Sequence, residues 1–266
     1  MVDPKTFHFQ LPRYEGPPLP EPPRAWYPGV QQHISKSTSD RAFRSDGRVR
    51  AIVIHATAGA TSAGAMSVMF EHRASFHWLV PGEKDTQHGK FVWACAPEAR
   101  AAWHVRNDRS HPDINNGSQN VNYWSLGIEV VNTQQNNDPF SDWQVEQTAA
   151  LVRYAWSKYP DLRDVVSHAK LDPARRSDPG SHFPWDRFQE LVLSSTFHSP
   201  LSEDVTDTPA EPKTPRVVGL DGNPINCDAT LLDGVTIVEA RPLIEALGFR
   251  VEYDAQTLTM KILTKN

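Results

Sequence analysis

The chain of 266 residues has few cysteines, little net charge and no long apolar run, and each shortage excludes a class of protein. Two cysteines, Cys95 and Cys227, cannot form a disulfide framework, and we expect both to be buried small side chains in different domains. A formal net charge of −5 argues against nucleic acid as the main partner. Because no run approaches the length of a membrane helix, no membrane insertion is predicted.

The N-terminal region is equally poor in apolar runs. Its first ten residues, M-V-D-P-K-T-F-H-F-Q, contain no apolar segment of a secretory signal, so we expect synthesis in the cytoplasm. Residues 11–24 carry too much proline for a helix or a central strand. We interpret residues 1–47 as a proline-rich extension laid on the domain surface, with regular structure beginning near Val49.

The patterns after Val49 predict an α/β domain over residues 48–197. R-A-I-V-I-H, at 50–55, is a short β-branched run typical of a buried strand. Ser141 and Gln144 form a capping-box signature that opens an amphipathic helix ending before Pro160. Strands and helices in mixed order favour a central mixed β-sheet flanked by helices. Further strands are predicted at 75–80, 91–95 and 125–131, and further helices at 63–73 and 185–192.

The composition changes after the first domain. Residues 198–216 are rich in proline and acids and nearly free of large apolar side chains, which indicates a linker. Residues 217–266 then show two Asp-Gly turn signals, a short helix closed by Gly248 and two alternating strands. We predict a small α+β domain there.

Three side chains form the strongest chemical signal. His55 ends the first buried strand, where side chains meet the open edge of a sheet. His168 and Asp178 lie ten residues apart, and a Pro-Gly turn follows the aspartate. Two imidazoles and one carboxylate are a standard ligand set for catalytic zinc, which activates water and polarises a carbonyl. Taken alone, His55 fits an ordinary half-buried histidine better than a metal ligand, and His168 and Asp178 are what favour the metal site.

Glu129 is the candidate proton carrier. It lies in S-L-G-I-E-V-V, a run apolar enough for a buried strand, where an isolated carboxylate is costly. Beside a metal-activated water it would act as general base and then as general acid. Spacing alone does not establish that Glu129 and the three ligand candidates meet.

Five ordered motifs give the sequence a recognisable character: I-V-I-H-A-T, S-F-H-W-L-V, A-A-W-H-V, N-Y-W-S-L-G-I-E-V-V-N and S-H-A-K-L-D-P-A-R-R-S-D-P-G-S-H-F-P-W. In this order they resemble the type 2 N-acetylmuramoyl-L-alanine amidases, which share the fold of peptidoglycan-recognition proteins. The resemblance runs from about Arg48 to about Leu193. It implies zinc (Zn²⁺) as the metal, held by His55, His168 and Asp178, with Glu129 as the catalytic glutamate.

Two departures from the family pattern bear on the mechanism. Arg176 stands where the family usually has lysine, and the resemblance implies that it stabilises the developing oxyanion, with a surface salt bridge as the alternative. Phe76 replaces a tyrosine of some relatives, so catalysis assisted by a phenol is not expected and proton transfer by Glu129 is favoured.

The other histidines near these motifs have different expected roles. His77 is expected to pack under the site. The resemblance further implies substrate binding by His104, with Trp103 and Asn122 as candidate groove residues, although a core position suits Trp103 equally well.

The resemblance implies hydrolysis of the amide between N-acetylmuramic acid and L-alanine in bacterial peptidoglycan. The leading hypothesis is a wall-degrading phage endolysin or autolysin that acts on the wall after release. The alternatives are a cytoplasmic amidase that recycles muropeptides and a non-catalytic recognition protein, which typically lacks a zinc ligand.

The C-terminal residues carry a second resemblance. Residues 217–264, with D-G-V-T-I-V-E-A-R-P-L-I-E-A-L-G-F-R-V-E-Y-D and T-L-T-M-K-I, resemble the small stalk-like domain named after the N-terminal domain of copper amine oxidases. They contain no histidine, so no copper site is predicted. The resemblance implies wall attachment or self-association as a homo-oligomer, and a spacing module is the alternative.

Overall fold

The computed structural model describes residues 2–22, 24–82, 85 and 92–194, together with the backbone of four later strands. The chain divides into two compact units, Met1–Glu203 and Asp204–Asn266. The first unit contains every side chain that the structure describes. Among the described residues, no helix is long and apolar enough to cross a membrane.

The first unit is built from short strands and a few helices. Its strands are β1 (His8–Gln10), β2 (Arg24–Trp26), β3 (Thr38–Asp40), β4 (Ala51–Ala56), β5 (Trp78–Val80), β6 (Val92–Ala94), β7 (Arg100–Ala102), β8 (Ser125–Val130) and β9 (Asp164–Ser167). Its helices are α1 (Ile34–Ser37), α2 (Ser62–Phe70), α3 (Asp142–Lys158), α4 (His168–Leu171) and α5 (Trp185–Leu193).

Seven of these strands form one sheet in the order β1-β9-β4-β8-β5-β6-β2. The four strands β9, β4, β8 and β5 run parallel, whereas β1 is antiparallel to β9 and β6 is antiparallel to β5. All six residues of β4 are buried, as expected for a strand covered on both faces. The predicted α/β fold with a central mixed sheet is therefore confirmed.

The two faces of the sheet have different covers. Ile52 and Ile54 of β4 belong to a core cluster with residues of α3 and α5. Ala51 and Val53 face the other side and pack with Val121 and other loop residues. Because side chains alternate along a strand, His55 lies on the same face as Ala51 and Val53.

The helix predicted after residue 140 is confirmed in detail. The Ser141 hydroxyl accepts a hydrogen bond from the Gln144 N–H, while the Gln144 side chain accepts one from the Ser141 N–H. This reciprocal pair satisfies two N–H groups that have no partner inside the helix. The helix α3 ends at Lys158, two residues before Pro160.

The N-terminal residues contribute more structure than the sequence predicted. The prediction that regular structure begins near Val49 is wrong, because β1, β2, α1 and β3 all precede it. Phe7, Phe9 and Leu11 are buried in the main core. The intervening proline-rich residues do run over the surface, where the Pro12 carbonyl accepts a hydrogen bond from Trp156 of α3.

We expect Phe7→Ala to destabilise the first unit strongly. The Phe7 ring is 1 % exposed and stacks on Trp185 at 4.7 Å between ring centroids. Loss of a buried phenylalanine typically lowers the free energy of unfolding by about 3–5 kcal/mol, which denaturant titration would measure. Phe43→Ala is the matched control, because Phe43 is 74 % exposed and should change stability by about 0.5 kcal/mol or less. Equal effects of the two changes would contradict the integration of the N-terminal residues into the core.

The second unit is described as two antiparallel hairpins. The first pairs β10 (Ala229–Leu232) with β11 (Val235–Val238), and the second pairs β12 (Phe249–Asp254) with β13 (Thr259–Thr264). The second hairpin agrees with the alternating strands predicted there. The linker, the short helix before Gly248 and Cys227 lie outside the described residues, whereas Cys95 is buried as a free thiol.

Candidate metal centre

His55 and Glu129 occupy matched positions on neighbouring strands. In the parallel pair β4 and β8, the two residues are register partners. Each comes second to last in its strand, so both lie at the carboxyl edge of the sheet. Ligands of open α/β sheets typically bind at this edge.

The loop after β9 brings the other two ligand candidates to the same edge. His168 is the first residue of α4 and follows β9 directly. The Ala169 N–H donates a 2.9 Å hydrogen bond to the Asp178 carbonyl, which folds the loop back on α4. The loop then turns at Gly180, which has a φ of 91° and donates its N–H to the Ser177 carbonyl at 2.8 Å. A side chain at this φ would be strained, so the turn favours glycine.

Three candidate ligand atoms converge. His55 Nδ1 lies 3.0 Å from His168 Nδ1 and 3.2 Å from Asp178 Oδ2, and the last two atoms are 3.0 Å apart. All three residues are buried. Zinc bonds to nitrogen and oxygen of about 2.0–2.2 Å place tetrahedral ligand atoms roughly 3.3–3.5 Å apart, so the observed donor set fits a zinc ion with small adjustments.

The electrostatics of these three groups suit a cation. Burial and the neighbouring His168 together lower the pKa of His55 to about 4, although Asp178 opposes the shift. Burial opposes ionisation of Asp178, but its hydrogen bonds to His168 and His55 and their charges hold its pKa below the usual range. A neutral imidazole and an ionised carboxylate are the forms that bind metal.

Glu129 is a half-buried carboxyl group beside this cluster. Burial raises its pKa well above the usual value, the Asp178 charge raises it further, and Arg176 opposes the shift. Its side chain forms no hydrogen bond or ion pair with any described residue. An acid of raised pKa with unengaged oxygens is suited to exchange protons with a bound molecule.

Arg176 borders a cleft next to the cluster. The cleft has a volume of about 380 Å³, and His168, His104 and Trp103 line it together with Arg176. The Arg176 side chain is exposed, and its backbone N–H donates to the Asp172 carbonyl at 2.9 Å. The cleft is therefore open to solvent at Arg176.

The three predicted groove residues have distinct surroundings. The half-buried Trp103 donates from its indole to Ser39 Oγ at 2.9 Å. Asn122 is buried, accepts from the backbone N–H groups of His104 and Val105, and donates to the Val105 carbonyl. His104 is 7 % exposed, and its Nδ1 lies 3.0 Å from His55 Nε2. Substrate binding by these residues stays a prediction, and Asn122 and His104 are also tied to the fold.

Sequence reasoning missed a buried arginine beneath the site. Arg41 is 3 % exposed and donates to the backbone carbonyls of Glu98, Arg100 and Ser125. Its Nη2 lies 3.1 Å from His77 Nε2, and His77 Nδ1 accepts from the Gly127 N–H of β8. Burial, with the nearby Arg41, lowers the pKa of His77 to about 3. No pattern in the sequence marked Arg41, which lies within the predicted extension.

Two histidines, one carboxylate and a separate acid at a sheet edge are typical of mononuclear zinc hydrolases. The family model described as N-acetylmuramoyl-L-alanine amidase matches residues 45–181, slightly more than half of the chain. The chain belongs to this family.

Individual relatives are moderately similar. The chain is 29 % identical over 157 residues to the N-acetylmuramoyl-L-alanine amidase AmiD of Escherichia coli, covering 56 % of this chain and 55 % of that protein. It is 31 % identical over 125 residues to the 1,6-anhydro-N-acetylmuramyl-L-alanine amidase AmpD of E. coli, and the match covers 47 % of this chain and 61 % of that protein. The crystal structure of AmpDh3 from Pseudomonas aeruginosa matches with 28 % identity and a TM-score of 0.48. The match covers 54 % of this chain and 59 % of that structure's chain. The chain thus spans somewhat more than half the length of these relatives.

Proposed function

We propose that the protein hydrolyses the amide bond between the lactyl group of N-acetylmuramic acid and the L-alanine of a stem peptide. The observation that carries this proposal is the convergence of His55, His168 and Asp178 beside Glu129. Membership of the amidase family supports the choice of bond.

His55, His168 and Asp178 would hold one zinc ion. When bound there, zinc supplies Lewis acidity, which lowers the pKa of water and polarises a carbonyl group. The burial of all three ligands limits competition from bulk water. Three protein ligands leave a position open for the reaction, as catalytic zinc sites require.

Glu129 would carry the proton. It takes a proton from the attacking water and then delivers it to the departing amine of L-alanine, so that water is consumed and a carboxylic acid and an amine are formed. A carboxyl group of raised pKa can hold that proton between the two steps. Arg176 would contribute positive charge to the oxyanion from the rim of the cleft.

For the substrate we propose soluble 1,6-anhydromuropeptides. The AmpD relatives are named for the 1,6-anhydro form of the sugar, which supports this class over a role in lysis of intact walls. The endolysin or autolysin hypothesis has less support from these relatives. Attachment of the second unit to a wall remains a prediction from its resemblance.

Product analysis tests the proposal directly. The purified protein is incubated with anhydromuropeptides and, separately, with intact peptidoglycan, with and without a chelator. New L-alanine amino termini without new reducing ends, abolished by the chelator and restored by zinc, are expected from the soluble substrate. Preferential release from intact walls would instead favour the lytic role. Binding without cleavage of either substrate would refute an amidase.

A further inference from the structure

A line of buried hydrogen bonds leads from the His55 ring, through His104 and Ser125, to the backbone. His55 Nε2 lies 3.0 Å from His104 Nδ1, and His104 Nε2 lies 3.2 Å from Ser125 Oγ. Ser125 Oγ lies 2.7 Å from the Val121 carbonyl oxygen. Ser125 is fully buried, and both histidines are nearly so. The line therefore connects the ligand His55 to a fixed point of the backbone.

The Val121 carbonyl at the end of this line determines which atom donates in each hydrogen bond. A carbonyl oxygen only accepts, so the Ser125 hydroxyl donates to Val121 and must accept from His104 Nε2–H. A neutral imidazole has one N–H and one lone pair, so His104, which donates from Nε2, presents its lone pair at Nδ1. That lone pair accepts from His55 Nε2–H, which leaves the His55 lone pair on Nδ1.

His55 Nδ1 is the atom that faces the other two ligands. It lies 3.0 Å from His168 Nδ1 and 3.2 Å from Asp178 Oδ2. Partners of this kind fix the tautomer and ring orientation of metal-binding histidines. With the opposite tautomer, His55 would present an N–H to the cation and could not bind it.

The backbone of β8 is shaped to admit His104. A Cβ atom added at Gly127 would lie 2.7 Å from His104 Cγ and 2.9 Å from His104 Nδ1. Such contacts are closer than van der Waals packing allows, so only glycine leaves room for the ring at this point of the strand. The same ring stands edge-on to His55 at an interplanar angle of 88°.

We infer that His104 and Ser125 are positioning residues that hold His55 in the Nε2–H tautomer and thereby prepare its Nδ1 for zinc before the ion arrives. The inference rests on the proposed zinc-binding role of His55. It gives His104 a task distinct from the substrate contact predicted for it, and it gives Ser125 a role that no motif indicated.

The first measurement uses the unmodified protein. Two-bond proton–nitrogen correlation spectra of the zinc-free protein report which nitrogen of His55 carries the proton. We expect a single tautomer with the proton on Nε2, unchanged on addition of zinc. A proton on Nδ1, or a mixture of tautomers, in the zinc-free protein would overturn the inference. This spectrum needs no variant to fold and does not depend on catalytic turnover.

The second measurement uses Ser125→Ala, which removes the acceptor for His104. We expect mixed tautomers at His55 and a zinc dissociation constant about 10–100-fold higher, the usual effect of losing an outer partner of a metal ligand. Competition against a chelating dye would measure it.

Ser37→Ala is the matched control for this variant. Ser37 is also fully buried, donates to the Met69 carbonyl at 2.9 Å and lies 2.9 Å from His72 Nδ1, but this group makes no contact with His55. It should bind zinc as the unmodified protein does. Unchanged affinity in Ser125→Ala, or an equal loss in Ser37→Ala, would refute the positioning role. Failure of the unmodified protein to bind zinc would instead refute the proposed function.

Discussion

Replacement of Glu129 by glutamine is expected to lower the turnover number by about 10²–10⁴-fold, the usual contribution of a general acid–base group. The amide keeps the size of the carboxyl group but cannot accept the proton of the attacking water. Zinc content should remain that of the unmodified protein, because Glu129 is not among the three converging ligand candidates. Single-turnover assays on an anhydromuropeptide, together with metal analysis, would measure both quantities.

The same variant has an independent signature in stability. Burial raises the pKa of Glu129 in the folded state, so ionisation of this group costs stability as pH rises above the unfolded value of about 4.3. In the zinc-free protein at neutral pH, Glu129→Gln should therefore be more stable than the unmodified chain. Glu190→Gln, on a side chain that is 71 % exposed, should change neither turnover nor stability appreciably. Turnover like that of the unmodified protein in Glu129→Gln would remove this residue from the mechanism.

His168→Ala is expected to abolish both zinc binding and turnover. The change removes one of three ligand atoms and leaves the Asp178 carboxylate without its 3.0 Å partner. The loss of zinc affinity should exceed the roughly 10–100-fold that outer partners of a ligand contribute. Zinc per protein, measured by atomic emission after dialysis, would report it.

His182→Ala provides the histidine control for that experiment. His182 follows Asp178 by four residues on the same loop, but it is not among the converging ligand candidates, and its Nε2 is 2.7 Å from Asn136 Oδ1. This variant should keep its zinc and its activity. One zinc per chain retained in His168→Ala would disprove the proposed ligand set.

The two long central strands β4 and β8 could be predicted from the sequence, whereas the edge strands β1 and β2 and the short buried strand β9 could not. β4 and β8 are six-residue apolar runs, and their composition alone indicates a buried strand. β1 and β2 have three residues each, and no alternation is readable over so short a stretch. They are strands because they pair with β9 and β6, which lie far away in the sequence.

The same distinction holds at the metal centre. His55, His168 and Asp178 could be proposed because ligand chemistry limits the residue types and the turn after Asp178 is visible in the sequence. Arg41 and Ser125 could not, because an arginine before the first predicted strand and a serine at a strand start carry no pattern. Their positions follow from which backbone carbonyls the fold brings beside them.

The two edges of the seven-stranded sheet come from one N-terminal segment, since β1 closes one side and β2 the other. On the ribosome this segment emerges before any of its partners. The partner of β1 begins at Asp164, about 150 residues after Gln10, which corresponds to roughly 8–30 s of synthesis at 5–20 residues per second. During that interval Phe7 and Phe9 lack β9 and Trp185, which they contact in the folded unit. The residues made first in this unit are therefore among the last to reach their native positions, and the nascent chain must keep them soluble meanwhile.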